Sequence, residues 1–147
     1  MNDSDNIKDS SDSLIGLLTA QCADLEKLLL LAREETLAAQ QGKFFKILDI
    51  VSERAALTQK LETFQQRIAE LRGCLNSTRQ NPVQQDAVNR AIELSNLTIA
   101  QDQQTKLLLT ASREESAESL KNLERSHQNS NVYLREERKG LTYSGKF

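Results

Sequence analysis

Nine residues between 47 and 75 step alternately by three and four: Ile47, Ile50, Arg54, Leu57, Leu61, Phe64, Ile68, Leu71 and Leu75. Eight of the nine are apolar, and this spacing holds them on one stripe of an α-helix, whereas a strand would turn successive side chains to opposite faces. The segment therefore predicts a helix over 43–75 that buries one long seam. Each large side chain withdrawn from water contributes roughly 1.5 to 3 kcal/mol, most of which is offset by ordering the chain. Arg54, the one charged member, is expected as a snorkelling side chain at the edge of the seam.

A second helix precedes it. Ser11, Asp12 and Ser13 offer capping oxygens just before Leu14, and Leu14, Leu18, Leu25, Leu28, Ala32 and Ala39 then recur at helical spacing. This predicts a helix over 13–40. Gly42 is the nearest residue that takes a left-handed conformation without steric cost, so it is the expected helix stop and hairpin turn. A third helix is expected from Pro82, which suits the first helical position, with Asn81 as its cap. Its stripe of Ala87, Ala91, Leu94, Thr98, Gln101, Thr105, Leu108 and Ser112 is half polar and predicts loose packing.

Five glycines and a single proline leave little material for the turns of a multi-stranded sheet. The expected fold class is all-α: a long antiparallel helical hairpin plus a third long helix in a coiled-coil-like up-down bundle. Residues 1–12 carry Asp3, Asp5, Asp9 and Asp12 among Ser and Asn, and they predict a disordered acidic tail. The bundle is assigned to 13–112, a helical arm to 113–139 and a flexible tail, opened by Gly140, to 140–147.

Folding three helices back and forth brings Lys43 level with roughly Arg113. Residues beyond Arg113 then have no partner helix within the chain, yet they include Ala117, Leu120, Leu123, Val132, Tyr133 and Leu134. Two arrangements satisfy these groups. The arm can break near Ser126 to Asn131 and fold back as a fourth helix, or it can bind a partner as a helix in a groove.

Catalytic and metal chemistry find little material here. One histidine, His127, and two cysteines, Cys22 and Cys74, do not compose a structural zinc site at any workable spacing. The hairpin sets Cys22 opposite roughly residue 62, about 12 residues or 18 Å from Cys74, too far for a disulfide. Both are expected as reduced packing residues. Glu34-Glu35, Glu114-Glu115 and Glu136-Glu137 read as solvated charge, His127 as an exposed side chain, and no phosphate-cradling glycine loop is present. The expectation is no enzymatic activity, no metal and no cofactor. A formal charge of −2, with acids and bases interspersed, disfavours nucleic acid. The longest apolar run, Leu28 through Ala32, is too short for membrane insertion, so a cytoplasmic protein is expected.

The stretch Leu31-Ala32-Arg33-Glu34-Glu35-Thr36-Leu37, Gly42, Leu48-Asp49-Ile50-Val51-Ser52-Glu53-Arg54-Ala55-Ala56-Leu57-Thr58-Gln59-Lys60-Leu61 and Arg67 resembles the first hairpin of the FlgN-type flagellar export chaperones. Glu93-Leu94-Ser95-Asn96-Leu97 is similar to the asparagine-bearing part of that family's third helix. The resemblance covers 14–123. It implies a cytosolic chaperone of the flagellar type III secretion system that binds hook-associated proteins one and three and delivers them to the export gate. It also implies client binding by the C-terminal part, where Ala117, Leu120, Leu123, Val132, Tyr133 and Leu134 lie. The family's tail tyrosine, used at the export gate, has a similar counterpart in Leu141-Thr142-Tyr143-Ser144-Gly145, which departs from the family pattern in Thr142 and Gly140. Where the family often places a lysine in its second helix, this chain has Arg54. The expected oligomeric state is a monomer or weak homodimer. A rival expectation is a coiled-coil scaffold that self-associates through the 47–75 seam.

Overall fold

In the computed structural model the backbone is described for residues 3–75 and 81–144, and the side chains for 12–73 and 81–137. The fold is all-α, with three helices in the order α1 (Asp3–Gln40), α2 (Phe44–Leu75) and α3 (Pro82–Ser144), and no strand among the described residues. The chain divides into two compact units, Met1–Leu108 and Leu109–Phe147. The first holds α1, α2 and the proximal part of α3 as a helical bundle. The second is the distal part of α3.

Both predicted punctuation marks operate as the residue types dictate. Gly42 has φ of +69°. The Lys43 amide reaches back to the Ala38 carbonyl at 2.9 Å and the Gly42 amide to the Ala39 carbonyl at 3.3 Å, the paired hydrogen bonds of a Schellman stop. At the other boundary, Asn81 Oδ1 accepts the Val83 amide at 2.9 Å and caps α3. A Cβ at Gly42 would meet nothing within 4 Å, so substitution there is strained only through the backbone. Gly42→Ala is expected to lower stability by about 1 to 2 kcal/mol, the cost of a left-handed L-residue, read as a fall in the thermal midpoint. An unchanged midpoint would contradict this reading of the turn.

The core lies where the stripes meet. Leu14, Leu18 and Ile68 form one cluster, flanked by Leu17, Phe64, Leu71, Ala87 and Val88. Leu25, Leu29 and Leu94 form a second, flanked by Cys22, Leu28, Leu61 and Ala91. Of the predicted seam, Ile47, Ile50 and Ile68 are buried. Leu57, Leu61, Phe64 and Leu71 are half-buried, and the side chain of Leu75 lies outside the described residues. Arg54 meets Asp102, the register between α2 and α3 that counting residues along the helices gives.

Two boundaries differ from the expectations, and one of the two arrangements of the arm is removed. α1 begins at Asp3, so residues 3–12, expected as a disordered tail, continue the helix. Once a long helix is nucleated, each further residue adds a hydrogen bond at the ordering cost of one residue, and Asp3 and Asp5 are residue types that suit a helix N-terminus. α3 does not break near Ser126 to Asn131, which removes the folded-back fourth helix for the described residues. It also passes through Gly140 to Ser144, where a flexible tail was expected, because one glycine costs a helix only about 1 kcal/mol. Residues 145–147 of that tail lie outside the described residues.

Candidate functional site

Each helix of the first unit contributes a charged group at the level of Arg54. The Arg54 guanidinium, on α2, donates from both terminal nitrogens to the Asp102 carboxylate on α3 at 2.8 Å each, and from one of them to Glu35 on α1. The side chains of Glu35 and Arg54 are 10% and 19% exposed, that of Asp102 41%. Hydrogen bonding to Asp102 foremost, then to Glu35, raises Arg54 above its ordinary value against the opposing pull of burial, so it stays charged. Beside this triad the Thr36 and Thr105 hydroxyls lie 2.7 Å apart, and Gln101 Nε2 donates to Thr36 Oγ1 at 2.6 Å. Thr36 donates in turn to the Ala32 carbonyl. The result is a polar layer across all three helices that leaves Thr36, Thr98 and Thr105 buried but bonded.

Two of the sequence expectations are corrected here. Arg54 is the hub of this layer, not a snorkelling side chain at an edge, because two carboxylates from neighbouring helices hold its head group inside. Glu35 is buried and ion-paired, while its neighbour Glu34 is exposed as expected. An interruption of an apolar stripe by Arg, set against acids at matching levels on the flanking helices, was the available sign.

Next to this layer a groove of about 680 Å³ opens between α2 and α3, with α1 as its floor. Leu18, Leu25, Leu61, Ile68, Val88 and Ala91 supply much of its apolar lining, and its polar margin includes Thr58, Ser95 and Asn96 with the charged Glu62 and Arg72. Nearer the hairpin turn α2 carries a second stripe, Phe44, Leu48 and Val51, all exposed. Their i, i+4, i+7 spacing was legible in the sequence, although the buried stripe masks it there.

The second unit is a single helix. Leu109 and Ser112 are half-buried, and all described side chains from 113 to 137 are exposed. Leu120 is 62%, Leu123 65% and Leu134 51% exposed, and Val132, Tyr133 and Ala117 are exposed as well. At about 100° per residue, Leu109, Leu120, Leu123, His127 and Leu134 share an arc of roughly 60°. Val132 falls on the side opposite Leu123, and Tyr133 and Ala117 lie off the arc. The six predicted contact residues are thus not one surface: three form a leucine face, and Ala117, Val132 and Tyr133 lie off it. Tyr143 stands in the helical backbone of α3, and its side chain lies outside the described residues.

Chemistry beyond packing is sparse. Cys22 is a free thiol that donates to the Ala87 carbonyl at 3.3 Å. Burial first, and then Glu26, pushes it up, with Arg90 opposing, which disfavours the thiolate. The Cys74 side chain lies outside the described residues. His127 is exposed. Asp24, 4% exposed, lies 3.2 Å from Lys60 Nζ, whose ammonium sits 5.7 Å from the Phe64 ring. Among the described residues no three metal-binding side chains converge, and no helix is long and apolar enough to cross a membrane. No family model, curated protein or solved structure matches the chain.

Proposed function

We propose that this chain is a flagellar type III export chaperone of the FlgN type, acting in the cytoplasm on hook-associated proteins one and three. The observation that carries the reading is the exposed leucine face of distal α3, Leu120, Leu123 and Leu134, on a helix whose described neighbours from 113 to 137 are all exposed. Leucines at that spacing are the anchors with which a helix seats in an apolar groove. A client terminal helix that is kept covered cannot assemble prematurely, and the covered complex can be carried to the export gate, with Tyr143 as the contact there. Binding draws its free energy from apolar burial, less the cost of ordering both helices.

The rival reading is a scaffold that self-associates through the seam; Ile47, Ile50 and Ile68 are buried within the chain, which favours the chaperone reading, while Leu57, Leu61, Phe64 and Leu71 are half-buried. A monomer or weak homodimer remains the expected state. Co-purification from a motile cell is the direct test. Recovery of a hook-filament junction protein with the chain is the expected result, and its absence when a known cytoplasmic client complex survives the same procedure would overturn the reading.

A further inference from the structure

α3 is held to the α1–α2 hairpin by two unlike stretches. Over 87–94 the inward positions are Ala87, Val88, Ala91 and Leu94, packed against the leucines of α1. Over 98–105 they are Thr98, Gln101, Asp102 and Thr105, all hydroxyl, amide or carboxylate, and each hydrogen-bonded. The two stretches respond differently to water. An apolar contact that opens gives up its burial outright, whereas a hydroxyl, amide or ion pair that opens exchanges one hydrogen-bonded partner for another. Water already reaches the edge of the second stretch at Asp102, whose side chain is 41% exposed, while Thr98 and Thr105 are buried.

We propose that residues 98–105 of α3 form a polar clasp that opens from the hairpin while residues 87–94 stay docked. The clasp also fixes register. Sliding α3 by a turn would part Asp102 from Arg54 and take Thr105 and Gln101 away from the buried Thr36 hydroxyl, which would keep only the Ala32 carbonyl of its own helix. In chain order the clasp stands between the apolar anchor and the exposed distal residues, so its opening lengthens the stretch of α3 that a second protein can reach. This holds whether or not the distal leucines bind a client.

Thiol labelling of the full chain separates the two stretches, in a Cys74→Ser background that leaves one reporter at a time. Cys22, bonded to Ala87, reports the anchor, with its own thiol as the probe. Thr98→Cys, in a chain that also carries Cys22→Ser, reports the clasp, because Thr98 bonds only within its own helix and its replacement leaves the triad intact. Asp102→Asn is expected to raise the labelling rate at position 98 at least about tenfold and to change that at Cys22 by less than about twofold. Thr36→Val, which removes a cross-helix hydroxyl without altering charge, is expected to give the same split. Equal acceleration at both reporters would show that α3 leaves as one piece, and no acceleration at either would show that the polar layer does not hold it; each result overturns the clasp.

Discussion

Arg54→Met is expected to destabilise the chain by about 3 kcal/mol, seen as a thermal midpoint lowered by roughly 10 °C. The cost arises less from the attraction lost than from what is left behind. Glu35 is 8% exposed and has Arg54 as its ion-pair partner, so removing the guanidinium strands a carboxylate in a place water hardly reaches. Asp102, more open to solvent, recovers hydration and moderates the loss. The converse experiment tests the cause. With Glu35→Met and Asp102→Met added, no charge remains to be stranded, and stability is expected to return to within about 1 kcal/mol of the parent or to exceed it. A single Arg54→Met variant as stable as the parent would contradict the role of the triad.

The second large effect is on binding alone. Replacing Leu120, Leu123 and Leu134 together by serine is expected to leave the thermal midpoint nearly unchanged, because these side chains are exposed. The same variant is expected to bind a hook-filament junction protein at least about a hundredfold more weakly, since three leucine anchors lose roughly 3 kcal/mol or more between them. Val132→Ser is expected to change affinity by less than about threefold, because Val132 lies opposite Leu123 on the helix. Equal losses from Val132→Ser and Leu123→Ser would show that the helix does not bind by one face.

Much of this architecture was legible in the chain because it rests on periodicity and on two special residues. The step of three and four located α2, Gly42 ended α1, and Asn81-Pro82 opened α3, each through local chemistry that needs no tertiary information. Exposure of Leu120 and Leu123 followed from comparing helix lengths. The polar layer was not legible, because its meaning depends on which helix stands beside which. Arg54 looks the same in sequence whether it snorkels or meets Glu35 and Asp102, and Glu35 reads as solvated charge beside Glu34 until the face of α1 is known. Helix ends were missed at Asp3 and Ser144 for a related reason. Tail composition predicts disorder for an isolated segment, but these residues extend helices already formed. The division of the six distal residues into separate faces likewise required an unbroken α3, in which Val132 and Leu123 cannot point the same way.

The most direct measurement is titration calorimetry of purified hook-filament junction protein into the full chain and into a chain ending at Arg113, which keeps the whole first unit. Heat of binding to the full chain and none to the shortened one at the same concentrations is the result this account predicts. Undiminished affinity in the shortened chain would move the binding surface to the bundle and contradict the role given to distal α3.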